Sequence, residues 1–233
     1  MRLHRFFVNQ ELQAGRETLI VEPDVVHQWK RVFRLRKDDQ VVLFDGSGQE
    51  FVCRIVALGD DEARVYPAEA RPVAYSVSRD VTLFAALIKK DNFEWILQKC
   101  TEVGVSRFVP VLSDRSEKKD LNIERAQAII KEAAEQSGRG SLPELCPVIS
   151  LDDSLSQYTL PRLAFHLSGE PFADVRAKFD LPEIGLLIGP EGGWSEREAE
   201  LFKKHNITVA SLGTQVLRAE TAAVAASVLF LLK

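Results

Sequence analysis

A chain of 233 residues, 45% hydrophobic and 27% charged, has the composition of an ordinary folded protein, which excludes a fibrous or disordered class. Its formal charge of −4 excludes a protein that coats nucleic acid by bulk electrostatics and leaves room only for local basic patches. The longest apolar run, Ala222 to Leu232, is too short to cross a bilayer and predicts a buried helix; the amino-terminal residues lack a secretory pattern, so a cytoplasmic protein without a membrane partner is expected.

In chain order, residues 1–72 predict a small, mostly β domain. The runs Arg5-Phe-Phe-Val8, Gln40-Val-Val-Leu-Phe44, Glu50-Phe-Val-Cys-Arg-Ile-Val56 and Glu62-Ala-Arg-Val-Tyr66 are rich in β-branched or aromatic residues and are separated by turn residues. Asp45-Gly-Ser-Gly48, between two of these runs, supplies the positive φ angles of a hairpin. One helix, Pro23 through Phe33, interrupts the strands, with Pro23 suited to a first helical turn. A small β-barrel with one helix is the natural closure. The segment Lys30 to Lys37 concentrates Lys30, Arg31, Arg34, Arg36 and Lys37 around Phe33. It reads equally as a phosphate-contacting stripe or as a solvated helix end followed by a charged loop.

Pro72 and polar residues between Arg71 and Asp80 mark a connector, which divides the chain into domains of residues 1–72 and 73–233. Beyond it the pattern predicts strand Val81 to Ile88, helix Asn92 to Val103, strand Arg107 to Leu112 and helix Ile123 to Gln136. Strands Arg162 to Leu167 and Ile184 to Ile188 follow, then helix Glu196 to His205, strand Ile207 to Leu212 and helix Glu220 to Leu232. Such alternation predicts an α/β domain with a largely parallel sheet, whose ligands sit beyond the carboxyl ends of the strands. Cys53, Cys100 and Cys146, like His4, His27, His166 and His205, show no metal-ligand spacing, so buried free thiols and no metal are expected.

Two segments hold the chemistry. Gly185-Leu-Leu-Ile-Gly-Pro-Glu-Gly-Gly-Trp-Ser195 runs from an apolar strand into a loop where glycines let backbone amides approach a ligand. It lacks the order of a dinucleotide fingerprint and the Gly-Lys-Ser/Thr of a phosphate loop. Glu191 would repel a phosphate and suits a ligand with hydroxyls, ring nitrogens or positive charge. Ser195 and Glu198 form a capping box, which accounts for part of the segment but not for three glycines and a carboxylate. The second segment, Ser211-Leu-Gly-Thr-Gln-Val-Leu-Arg-Ala-Glu-Thr221, leaves a strand, turns at Gly213 and enters the last helix. Arg218 and Glu220 sit there among apolar residues, where a charge is either paired or functional.

Together, Gly189-Pro-Glu-Gly-Gly193 and Leu212-Gly-Thr-Gln-Val-Leu-Arg-Ala-Glu-Thr-Ala222 resemble the SPOUT methyltransferases, and more narrowly the ribosomal RNA small subunit methyltransferase E family. Arg5-Phe-Phe-Val8, Lys89, Gln98-Lys-Cys-Thr-Glu-Val-Gly104 and Glu132-Ala-Ala-Glu-Gln-Ser-Gly-Arg139 extend the similarity over nearly the whole chain. The resemblance implies a PUA-like β-barrel before an α/β SPOUT domain whose carboxy-terminal segment forms a trefoil knot. It implies a homodimer that methylates uridine N3 of small-subunit (16S) ribosomal RNA. The cofactor, S-adenosylmethionine, would be held by Leu167, Leu187, Ile188, Gly189, Gly192, Leu212, Gly213, Val216 and Leu217. Arg5, Lys89 and Arg139 would join Lys30, Arg31, Arg34 and Arg36 at the RNA. Arg218 fits a cation that favours the deprotonated base, and Glu191 or Glu220 a proton acceptor, with no choice between them. Two competing classes are a non-catalytic RNA-binding module, which leaves both loop motifs without a role, and another nucleotide-binding enzyme, against which the missing G-x-G-x-x-G counts.

Overall fold

The computed structural model describes residues 3–74 and 79–232; residues 75–78, the middle of the expected connector, lie outside them. The chain divides into two compact units, Met1–Ser76 with Ala134–Leu142, and Val77–Ala133 with Pro143–Lys233. The first unit therefore takes in a short stretch, 134–142, that a single boundary after residue 72 assigns to the second.

The first unit contains β1 (Arg5–Phe7), β2 (Thr18–Ile20), α1 (Pro23–Arg31), β3 (Gln40–Phe44), β4 (Gln49–Leu58) and β5 (Ala63–Pro72). They form a five-stranded sheet in the order β1-β3-β4-β5-β2, antiparallel except for β1 beside β3. The β3–β4 turn has positive φ at Gly46 and Gly48, as Asp45-Gly-Ser-Gly48 requires. Helix α1 lays Val25, Val26 and Trp29 onto a core of Phe6, Leu43, Phe51, Ile55 and Val65. The helix stops at Arg31, short of the expected Phe33, and Arg34 then takes a left-handed φ of 54° that no helix continues through. Strand β5 runs six residues past Tyr66, five of them exposed, held by its ladder with β4 rather than by composition.

The second unit begins with β6 (Asp80–Ala86), α2 (Lys90–Val103), β7 (Arg107–Leu112) and α3 (Ile123–Ser137), whose last residues belong to the first unit. There follow β8 (Glu144–Leu145), β9 (Ile149–Ser150), α4 (Leu151–Gln157), β10 (Arg162–Pro171), α5 (Phe172–Val175) and β11 (Glu183–Ile188). The chain closes with α6 (Glu196–Lys204), β12 (Thr208–Ser211) and α7 (Ala219–Leu231). The sheet order is β12-β10-β11-β6-β7-β8, with β9 also on β7, and every pairing is parallel. Strands β6 and β11 are buried on both faces, which is why they read as unbroken apolar runs. Leu83, Phe108 and Leu186 face α2, α3 and α7, while Phe84, Val109 and Leu187 face α4 and α6.

Strand β10 outruns its expected end at Leu167. After Phe165 its register with β12 breaks and resumes at Glu170 opposite Ala210. Between them a Cβ on Gly169 would sit 2.6 Å from the carbonyl carbon of Ala210, so only glycine lets the two backbones come this close. Helix α4 escaped the periodicity reading because it is short, although Ser150, which accepts from the Asp153 amide at 3.0 Å, gives it a start signal. Among the described residues no helix is long and apolar enough to cross a membrane, and no group of three His, Cys, Asp or Glu is placed to hold a metal ion.

Candidate active site

Because all strands of the second sheet run the same way, the loops after β6, β7, β10, β11 and β12 leave from one edge. Two of them, 188–194 and 211–217, together with residues 165–167 at the irregular part of β10 and the first turn of α7, line a cavity of about 300 Å³. That is the position and size of a small-ligand site in an open parallel sheet.

The glycine-rich loop is built around Trp194. Its indole Nε1 donates to the carbonyl of Phe165 at 3.1 Å, and its ring lies against Gly189, where a Cβ would come within 3.0 Å of Cε2. Gly193 donates to the Pro190 carbonyl at 2.8 Å with φ of 67°, a turn that favours glycine. Ser195 then starts α6 with the expected capping box: its hydroxyl accepts from the Glu198 amide, and the Glu198 carboxylate accepts from the Ser195 amide at 2.7 Å.

That carboxylate does more than cap. Glu198 is fully buried and also accepts from the Asp114 amide at 2.9 Å, which joins the loop after β7 to the loop after β11. Arg197 pairs with Asp114 at 2.6 Å and with Asp152 at 2.9 Å. Hydrogen bonding from Arg197, then from Ser195, holds the Asp114 carboxyl below the usual carboxylate range, so this tie stays charged through neutral pH. Arg115 completes it by donating from Nη1 to the Gly192 carbonyl at 2.6 Å. Sequence spacing gave no hint of Asp114 or Arg115, because each acts on a segment about 80 positions away.

The third wall turns at Gly213, whose φ of 145° lies outside ordinary side-chain territory, with Ser211 Oγ donating to its carbonyl at 2.8 Å. Val216 and Leu217 beyond it are exposed, Val216 by 82%, which marks an apolar rim suited to a ligand.

Of the residues expected at the cofactor, Leu167, Ile188, Gly189, Gly192, Leu212, Gly213, Val216 and Leu217 line this cavity. Leu187 does not: strand alternation points it into the core with Phe84 and Ala164. Glu191 lines the cavity, whereas Arg218 is the exposed N-terminal cap of α7, between the lining residues Leu217 and Ala219. Glu220, in the first turn of α7, is half-buried, and its Oε2 has no hydrogen-bond partner among the described residues. His166, which sequence spacing set aside, is the second titratable side chain on the cavity wall.

The expected RNA contacts separate by exposure. Arg31 at the end of α1 and Arg34 and Arg36 beyond it stand exposed, and Lys89 is exposed at the carboxyl edge of β6. Lys30 is drawn to Asp60 at 2.7 Å and to the Gly59 carbonyl at 3.0 Å. Arg5 pairs with buried Glu50, which also holds Arg71 at 2.6 Å. Arg139 is only 4% exposed, which removes it from the surface that a phosphate could reach. Arg5 is thus part-buried and already paired, and Arg139 is buried within the first unit, where leaving a charge unpaired would be costly.

This fold and cavity are those of an RNA methyltransferase. The family model described as an RNA methyltransferase domain matches residues 76–231, and the model described as an RNA methyltransferase PUA domain matches residues 30–65. The chain is 31% identical to ribosomal RNA small subunit methyltransferase E of Rickettsia conorii, over 97% of this chain and 94% of that protein. The solved ribosomal RNA small subunit methyltransferase E of Neisseria gonorrhoeae, bound to S-adenosylmethionine, superposes with a TM-score of 0.90 at 27% identity, covering 97% of this chain and 95% of that one. A Legionella pneumophila protein solved with bound S-adenosylmethionine gives 0.91 at 29% identity, covering 98% and 97%. The chain belongs to the ribosomal RNA small subunit methyltransferase E family.

Proposed function

We propose that this chain transfers a methyl group from S-adenosylmethionine to N3 of a uridine in small-subunit (16S) ribosomal RNA. The observation that carries the reading is the cavity at the carboxyl edge of the parallel sheet, with its cradle of Gly189, Gly192 and Gly193 braced from below by Trp194. A Cβ at Gly189 would crowd Trp194, and the close backbone of the two loops suits the hydroxyls and ring nitrogens of an adenosine. When bound, S-adenosylmethionine supplies an electrophilic methyl on a sulfonium for in-line transfer to a nucleophilic nitrogen.

The chain's own residues hold the reactants in line, which supplies much of the acceleration. Glu191, the carboxylate on the cavity wall, takes the N3 proton; Glu220, off the wall, does not. Arg218 at the rim favours the deprotonated ring. The exposed Arg31, Arg34 and Arg36, with Lys89, position RNA through phosphates. We infer further that the five-stranded sheet closes as a PUA-like barrel within residues 1–72. The family resemblance further implies that the carboxy-terminal segment is threaded as a trefoil knot within residues 73–233. The working form is a cytoplasmic homodimer, so sedimentation should give about twice the 26.1 kDa chain mass.

The test is to incubate the protein and S-adenosylmethionine with small subunits or their RNA lacking the modification, then digest and identify the methylated nucleoside by mass spectrometry. One new 3-methyluridine is expected. Arg218→Ala should lower the single-turnover rate with RNA affinity nearly unchanged, because a group acting on developing charge contributes in the transition state. Methylation at another atom, or no methylation, contradicts the reading.

A further inference from the structure

His166 occupies the end of the regular part of β10, immediately after Phe165, whose carbonyl is held by Trp194 Nε1. Its ring is therefore mounted on a fixed backbone beside the glycine-rich loop. Nδ1 lies 2.8 Å from Ser168 Oγ and 3.3 Å from the Ser168 amide nitrogen. A backbone N–H can only donate, so Nδ1 must offer its lone pair, and in the neutral ring the proton resides on Nε2. Nε2 lies on the Gly193 side of the ring, 3.3 Å from where a Cβ on that glycine would stand. The tautomer thus leaves an N–H donor on the side of the ring that meets the cavity's glycine-rich wall.

We propose that His166 is a catalytic residue that donates a hydrogen bond from Nε2 to a carbonyl oxygen of the target uracil. This rests on the uridine N3 reading above. Loss of the N3 proton spreads negative charge onto the two flanking carbonyl oxygens, and the charge must form beside Glu191, the carboxylate of the wall. A carboxylate is also a weak base for such a proton. A fixed N–H donor answers both difficulties: it stabilises the oxygen where charge develops and makes N3–H easier to ionise without adding a second base. The proton passes from N3 to Glu191, the N3–carbon bond forms as the carbon–sulfur bond breaks with its electrons left on sulfur, and His166 is unchanged at the end.

The experiment compares His166→Leu with His166→Gln, which keeps an N–H donor, in single-turnover methylation of unmodified small-subunit RNA at saturating S-adenosylmethionine, with cofactor affinity measured by calorimetry. The leucine variant should lose about a hundredfold in rate, the scale of removing one oxyanion donor. Its cofactor affinity should stay within about threefold of wild type, and the glutamine variant should recover at least about tenfold of the rate. If the leucine variant melts below the assay temperature, His166→Met takes its place. A wild-type rate without the donor, or a defect that disappears at saturating cofactor, overturns the proposal while 3-methyluridine formation by the wild type leaves the function standing. A wild-type product methylated at another atom overturns both.

Discussion

In the first unit the strands are mostly antiparallel and reverse through hairpins, so their connecting loops lie at both ends of the sheet; in the second every strand runs the same way and the loops gather at one edge. The buried charges follow this difference. Glu50 in the first unit ties Arg5 and Arg71 within the unit itself, whereas Glu198 in the second ties two loops at the rim of a cavity. A buried carboxylate is thus no marker of function by itself. What distinguishes Glu198 is that its partners are the backbone of the loops that form the site. The first unit leaves Arg31, Arg34 and Arg36 exposed, and the second gathers its loop ties around the cavity.

The sharpest way to break this contrast is at Gly169. Gly169→Ala forces a methyl group against the backbone of Ala210, and overpacking of that kind costs about 3 kcal/mol. At roughly 2–4 °C per kcal/mol for a chain of this size, the melting temperature should drop by about 6–12 °C. An unchanged melt would show that the β10–β12 contact has slack. Arg115→Ala removes the hydrogen bond to Gly192, and affinity for S-adenosylmethionine should fall about tenfold without loss of the fold. Affinity equal to wild type would mean that Glu198 alone fixes the loop. The smallest effect falls in the first unit. Replacing Arg31 and Arg34 together by alanine should weaken RNA binding several-fold and reduce the slope of log affinity against log salt by about 1.5, while the rate at saturating RNA survives. An unchanged slope would return these arginines to a solvated helix end.

Much of the second unit was legible because a parallel sheet buries its strands on both faces, and β6 and β11 announce themselves as apolar runs. The glycine-rich loop, its capping box and the Gly213 turn were legible for a similar reason, since each is a local signal. What escaped is non-local. Arg115 and Asp114 gain their meaning only when the loop after β7 meets the loop after β11. His166 matters through one backbone amide two residues on, and Gly169 through a strand some 40 positions away. The basic residues show the limit in the other direction: charge pattern flagged Lys30 and resemblance Arg5 and Arg139, yet only folding reveals that Lys30 and Arg5 are engaged and Arg139 is buried. Leu187 fell on the wrong side for the simplest reason, the two-residue period of a strand.

The central claim is that cofactor binding belongs wholly to the cavity of the second unit. Calorimetric titration of S-adenosylmethionine into wild type, Gly189→Val and the Arg31→Ala/Arg34→Ala double variant tests it most directly, with circular dichroism confirming that each is folded. One binding event per chain is predicted for wild type and for the double variant with the same affinity, and a loss of about a hundredfold or more, roughly 2.7 kcal/mol, for Gly189→Val. Undiminished binding by folded Gly189→Val, or its loss in the double variant, would contradict the account.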